Sequence, residues 1–105
     1  MDILELLNKV KTALKKLYKK NLIDIVLYGS YAKQEYNKDS DIDLLIILDK
    51  IESVGKEIDK IVDATYDISL EYNTLISAIP ITYEDYKNVK SPLLINVRKE
   101  GIIIE

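Results

Sequence analysis

A chain of 105 residues, 48% of them hydrophobic and 31% charged, has the composition of one globular domain, so we expect residues 1–105 to form a single domain. The absence of cysteine and histidine excludes disulfides, thiolate metal sites and the commonest general base. Any metal ion must then bind oxygen ligands, as magnesium does. The net charge of −3 and the single arginine, Arg98, argue against direct binding of nucleic acid.

The chain shows no signal peptide, because Met1 leads directly into an amphipathic pattern. Its longest apolar run, Leu44 to Leu48, is far too short to span a membrane. We therefore expect a cytoplasmic protein with no membrane partner.

The first half of the chain predicts a helix followed by two strands. Asp2 can cap a helix with apolar residues at helical spacing. These residues are Ile3, Leu6, Leu7, Val10, Leu14 and Leu17. Branched apolar residues predict a strand over Leu22 to Tyr28 that ends at Gly29. Ser30 to Glu35 is short and compatible with a helix, and Ile42 to Leu48 predicts a strand that is buried on both faces.

The second half predicts a long helix, an edge strand and a closing helix. Ser53 can cap the long helix, and Pro80 favours an edge position for a strand over Leu75 to Ile81. Ser91-Pro92 begins the closing helix, after which Ile102 to Ile104 can add a short strand. The residues of the long helix that we expect to face the core are Val54, Ile58, Ile61, Val62, Thr65, Ser69 and Tyr72. The result is one α/β domain in which helices cover a small sheet.

Two aspartates stand at the start of the second strand. Asp41 and Asp43 are two residues apart, so a strand projects both carboxylates from the same face. The residues around them are apolar, and two carboxylates held close there repel each other and are partly desolvated. A divalent cation between them relieves that repulsion, so the pattern predicts a magnesium site on Asp41 and Asp43.

A glycine-led turn stands at the end of the first strand. Gly29 lets a phosphate approach the backbone closely, free N–H groups at the turn can donate to it, and Ser30 adds a hydroxyl donor. Lys33, on the short helix that follows, can reach a phosphate or remain a surface lysine. A triphosphate with bound magnesium would occupy both the turn and the aspartate pair.

The segment GSYAKQEYNKDSDID joins these features as Gly-Ser, ten residues and Asp-x-Asp. It resembles the signature of the minimal nucleotidyltransferases, members of the polymerase-β-like nucleotidyltransferase superfamily, and in particular the MntA-type antitoxins of HEPN/MNT toxin–antitoxin pairs. The resemblance is strong over Leu22 to Leu48 and weaker over the C-terminal SPLLINVRKEG. It implies an α+β fold with a small mixed β-sheet covered by helices.

The resemblance also implies roles and partners. Asp41 and Asp43 are expected to be the catalytic residues and the ligands of Mg²⁺, and Gly29 and Ser30 are expected to hold the terminal phosphates of ATP. The expected reaction transfers AMP from ATP to a hydroxyl, most simply that of a tyrosine on a partner HEPN toxin. The chain would then act as the antitoxin, and a homo-oligomer remains open.

The sequence departs from the family pattern at two places. Gln34 stands where the family often has glycine. Family members usually supply a third carboxylate from the next strand, where the aligned position here is Leu75 and the nearest acids are Asp67 and Glu71 on the preceding helix.

The departure at the third carboxylate keeps a second hypothesis open. A domain without that acid can bind nucleotide and metal while turning over slowly, and can neutralise a partner by contact alone. A third hypothesis, transfer to a small hydroxyl acceptor, is disfavoured because enzymes of that kind generally carry a further domain.

Overall fold

The computed structural model describes residues 1–104, which form a sheet of four strands with helices on both faces. In chain order the elements are α1 (Ile3–Tyr18), a 3-10 turn (Lys19–Asn21), β1 (Leu22–Tyr28), α2 (Gly29–Lys33), β2 (Ile42–Leu48), α3 (Val54–Glu71), β3 (Ile76–Thr82), α4 (Tyr83–Asn88), α5 (Pro92–Glu100) and β4 (Ile102–Ile103). Both β1 and β2 have the predicted bounds, and β3 begins one residue later than predicted. None of the helices within residues 1–104 is both long and apolar enough to cross a membrane.

The sheet is mixed, with the strand order β3-β2-β1-β4. Strand β1 is antiparallel to both β2 and β4, whereas β2 and β3 are parallel. Strand β3 therefore lies at an edge, as Pro80 predicts, because proline cannot donate a hydrogen bond to a further strand. The predicted α+β fold with a small mixed sheet is confirmed.

The side chains of β2 alternate between two hydrophobic cores. On one face, helices α1 and α3 cover the larger core, which includes Leu44 and Ile46 of β2. On the other face, α5 covers a smaller core that includes Leu45 and Ile47. Strand β2 is thus buried on both faces, as its apolar run predicts. Because the second core is small, it leaves the beginning of β2 less covered.

Side-chain caps begin the helices where the sequence predicts them. The Glu5 N–H donates to the Asp2 carboxylate at the start of α1, at 3.1 Å. The Leu94 N–H donates to the Ser91 hydroxyl at the start of α5, at 3.2 Å. Each cap satisfies a backbone donor that the first turn of a helix leaves free.

The buried face of α3 differs from the prediction. The helix packs against the sheet through Ile61 and Thr65 and through Glu57, whose carboxylate accepts a buried hydrogen bond of 2.9 Å from the Tyr18 hydroxyl. Side chains one position further along the helix point outward instead. The residues that were expected in the core but lie exposed are Val54 (53%), Ile58 (40%) and Val62 (56%). On α1, Leu17 is likewise exposed and Tyr18 is buried in its place.

Replacement of Gln34 by glycine is expected to stabilise the fold. Gln34 ends α2 in the left-handed conformation, with φ 59° and ψ 30°, which strains a residue that carries a Cβ. Glycine adopts this conformation without strain but loses more chain entropy on folding, so we expect Gln34→Gly to raise the free energy of unfolding by about 0.5–1 kcal/mol. Urea unfolding measures this change. Gln34→Ala keeps the strain and should give no gain, and a Gly variant no more stable than the Ala variant would contradict the prediction.

Candidate active site

The turn after β1 packs directly on a carboxylate of β2. Gly29 begins α2 with a positive φ of 73°, a conformation that favours glycine. A Cβ atom built at Gly29 would overlap the Asp43 Oδ2 atom and would lie 3.2 Å from Asp43 Cγ. A residue with a side chain at this position would displace the carboxylate. The structure therefore brings Gly29 and Asp43 together.

Strand pairing explains this proximity. In the antiparallel pair, Tyr28 at the end of β1 stands opposite Asp43 near the start of β2. In the parallel pair, Ser77 of β3 stands opposite Asp43 on its other side. Asp43 is two residues before Leu45, so it projects from the face of the sheet that α5 covers further along. The acid is half-buried there, between two neighbouring strands.

A short hydrogen-bonded loop leads from α2 to the acidic pair. The Asp39 N–H donates to the Asn37 side-chain oxygen at 2.8 Å, and the Asn37 N–H donates to the Ser40 hydroxyl at 3.0 Å. These contacts are the turn chemistry that Asn, Asp and Ser residues predict. They order the loop immediately before Asp41, the exposed acid that precedes β2.

The acidic pair carries repulsion that the described chain does not relieve. Burial raises the pKa of Asp43, and the negative charge of Asp41 raises it further. Burial and the charge of Asp43 likewise raise the pKa of the Tyr28 hydroxyl. The ion pairs found within residues 1–104 engage other acids. A hard divalent cation fits Asp41 and Asp43, since both offer carboxylate oxygens and positive charge between them would relieve their repulsion.

Ser30 and Lys33 follow Gly29 on α2. Ser30 is half-buried, and its carbonyl accepts a hydrogen bond of 2.9 Å from the Glu35 N–H, which closes the short helix. The Lys33 ammonium lies 3.3 Å from the Glu100 carboxylate of α5, and both side chains are about half exposed. An exposed pair of this kind contributes less than about 1 kcal/mol, so a phosphate can compete for Lys33.

Within the described residues 1–104, no third carboxylate joins the pair. Asp67 and Glu71 lie on α3, which packs on the face of the sheet opposite Asp43. Glu71 forms an ion pair of 2.7 Å with Lys9 of α1. Within residues 1–104, no group of three or more potential ligands from Asp, Glu, His and Cys lies close enough to hold a metal ion.

The residue beside Asp43 on β3 is a serine. The family resemblance predicts Leu75 as the position of the third acid, but Leu75 precedes β3 and its carbonyl accepts a hydrogen bond of 2.9 Å from the Ile42 N–H. The register places Ser77 opposite Asp43 instead. The sequence could not indicate Ser77, because the register of a parallel pair depends on how α3 connects the two strands.

Residues 7–104 match the family model of the nucleotidyltransferase domain. The chain belongs to this family. Two proteins of Methanocaldococcus jannaschii, both named as candidate protein adenylyltransferases, are similar over nearly their whole length. One is 33% identical over 102 residues, which cover 97% of this chain and 98% of that protein. The other is 33% identical over 93 residues, which cover 88% of this chain and 87% of that protein.

Solved structures share the nucleotidyltransferase fold. A toxin–antitoxin complex with AMP-PNP matches with a TM-score of 0.64 at 17% identity, over 92% of this chain and 70% of that one. A mutant MntA–HpeT toxin–antitoxin complex matches with a TM-score of 0.62 at 16% identity, over 92% and 70%. A candidate nucleotidyltransferase from Sulfolobus solfataricus matches with a TM-score of 0.54 at 20% identity, over 94% and 78%. The chain is thus a nucleotidyltransferase by family and by fold.

The replacement Asp43→Asn is expected to stabilise the metal-free protein at neutral pH. Folding raises the pKa of Asp43, so the folded protein holds this proton more tightly than the unfolded chain does. The contribution of Asp43 to stability is therefore complete below pH about 4 and falls as the pH rises through the folded pKa. In thermal unfolding with a chelator present, the melting temperature of Asp43→Asn relative to that of the wild type should rise from acidic to neutral pH.

Magnesium should reverse that order. It is expected to raise the melting temperature of the wild type and to leave that of Asp43→Asn nearly unchanged, because an ion that binds only the folded state stabilises it. Asp39→Asn removes an exposed acid from the neighbouring loop and is the matched control. Equal stabilisation of the wild type and Asp43→Asn by magnesium would contradict a site on Asp43.

Proposed function

We propose that the chain, acting as a single domain over residues 1–105, transfers AMP from ATP to a tyrosine hydroxyl of a HEPN-family partner and thereby acts as its antitoxin. The observation that carries this proposal is the close packing of Gly29 on the Asp43 carboxylate, which joins a turn suited to phosphates with an acidic pair suited to a metal ion. A triphosphate that carries a divalent cation matches both halves of such a site.

In the proposed reaction the tyrosine oxygen attacks the α-phosphorus of ATP. The bond between this phosphorus and the oxygen that bridges to the β-phosphorus breaks, and pyrophosphate leaves with the electron pair. Tyrosine and ATP thus give tyrosyl-AMP and pyrophosphate. The tyrosine proton passes to solvent water, since the site is open and Ser77, beside Asp43, is no general base at neutral pH.

The residues of the site divide these tasks. The backbone N–H groups at Gly29 and Ser30 bind the terminal phosphates, with Lys33 released from Glu100 to add a positive charge. Asp41 and Asp43 would hold Mg²⁺ through carboxylate oxygens, and the ion would supply positive charge that neutralises the phosphates. The incoming tyrosine approaches across the face of the sheet that α5 leaves uncovered near the start of β2.

The names of similar proteins favour a protein acceptor and an ATP-type nucleotide. Two relatives at 33% identity are named as candidate protein adenylyltransferases, which favours a protein acceptor and AMP as the transferred group. A complex of the same fold is a toxin–antitoxin pair with AMP-PNP, which favours an ATP-type ligand and a toxin as the partner.

A second candidate function rests on the missing third carboxylate. With Ser77 beside Asp43, and Asp67 and Glu71 on the other side of the sheet, residues 1–104 bring two acids to the site. A nucleotide-binding module that turns over weakly, and that neutralises its partner by contact, is consistent with this arrangement.

Labelled ATP separates the two functions. The chain is incubated with magnesium and a HEPN-family protein from the same genome, once with ATP labelled at the α-phosphate and once at the γ-phosphate. AMP transfer predicts label on the HEPN protein from the α-position only, lost by at least about 100-fold in Asp43→Asn because the acid stabilises the transition state. Asp39→Asn should retain full labelling. A stable complex without label would support the binding module. The absence of both label and complex would contradict both functions.

Restoring the third acid is expected to accelerate transfer. Ser77→Asp places a carboxylate opposite Asp43, and a base positioned near the acceptor hydroxyl should raise the rate of AMP transfer by about tenfold or more. Initial rates of labelling at saturating ATP measure the effect. Ser77→Asn has nearly the same shape without the charge and should give no gain. If the folded Ser77→Asp protein is no faster than Ser77→Asn, the missing acid does not limit the reaction.

A further inference from the structure

Helix α3 carries a row of large apolar side chains on its outward side. The exposed fractions of these residues are 53% for Val54, 40% for Ile58, 56% for Val62, 57% for Tyr66 and 62% for Leu70. They recur every four residues, and residues four apart are neighbours on a helix surface, so they form one ridge that advances about 24 Å along the helix while it turns about 160° around the axis. We call these five residues the α3 ridge. An exposed apolar row of this length is typical of a surface that binds another protein.

A row of acids runs beside the α3 ridge. Asp59, Asp63 and Asp67 also recur every four residues, each one position after a ridge residue, and all three are exposed. The ion pairs of α3 within residues 1–104 are Lys60 with Glu57 and Lys9 with Glu71, so they leave these three aspartates available. An acidic row next to an apolar row selects a partner that carries apolar and basic side chains in the same arrangement.

The α3 ridge is separate from the candidate active site. Helix α3 covers the face of the sheet into which Leu44 and Ile46 point, whereas Asp43 projects from the opposite face. A protein that binds the ridge therefore leaves the acidic pair open. Binding at the ridge does not involve the residues of the transfer reaction, and the inference does not rest on the proposed function.

We propose that the α3 ridge binds a helix of another protein that presents an apolar row flanked by lysine or arginine. A helix fits because a ridge of residues four apart packs into the groove between two such ridges, with the helix axes crossing at about −50°. Basic flanking residues fit because they pair with Asp59, Asp63 and Asp67. A second copy of this chain fits less well, since two α3 helices packed antiparallel about a two-fold axis place their acidic rows side by side.

Two synthetic helical peptides test the proposal. Both carry leucine every four residues, and they differ only in an adjacent row that is lysine in one and glutamate in the other. Fluorescence anisotropy at low ionic strength should show the lysine peptide binding at least about tenfold tighter, a preference that added salt reduces. Amide chemical shifts should change along α3. Absence of binding by the lysine peptide, or equal binding of the two, overturns the proposal.

Matched variants locate the binding surface. Val62→Asp puts a charge in the middle of the ridge and should abolish binding, whereas Leu4→Asp makes the same change at an exposed residue of α1 and should leave binding unchanged. Reversal of Asp59 and Asp63 to lysine should invert the preference between the two peptides. Equal losses in Val62→Asp and Leu4→Asp would place the peptide elsewhere. If sedimentation shows that the chain alone is a dimer and that Val62→Asp dissociates this dimer, the ridge binds a second copy and the proposal is overturned.

Discussion

The backbone of Gly29 rests on the Asp43 carboxylate, and the arrangement of the site depends on this contact. Because a Cβ at Gly29 would overlap the Asp43 carboxylate, a larger residue at this position would displace the acid from where it lies. The pairing of Tyr28 with Asp43 holds the two segments at that distance. The turn proposed to bind phosphates and the pair of acids thus occupy adjacent positions, although eleven residues of chain, from Ser30 to Ser40, separate Gly29 from Asp41.

The unequal cover of the sheet makes the site accessible. Helices α1 and α3 bury one face, while α5 covers only part of the other through residues such as Leu94 and Val97. The uncovered part is where Asp43 is half-buried and repelled by Asp41, so the metal-free fold bears an electrostatic cost at the place where the chemistry is proposed. A cost of this kind is expected at sites whose charge a ligand completes.

Local patterns in the sequence predicted much of this structure. Branched apolar runs determine the bounds of β1 and β2, and the caps Asp2 and Ser91 determine helix starts, because each depends on neighbouring residues alone. The predictions that were wrong concern features that depend on tertiary packing. On α3, periodicity assigned both Ile61 and Val62 to the core, and it could not tell that Ile61 and Thr65 face the sheet while the row of Val62 faces outward. The pairing of Ser77 with Asp43 depends equally on the assembled fold, through strand register.

A crystal structure of the chain with magnesium and an ATP analogue that cannot be cleaved between the α- and β-phosphates tests whether the turn and the acidic pair bind one triphosphate together with its metal ion. We expect a metal ion bound by the carboxylates of Asp41 and Asp43, with the terminal phosphates against the backbone of Gly29 and Ser30. Nucleotide bound on another surface, or phosphates at the turn with both carboxylates directed away from the ion, would contradict this expectation.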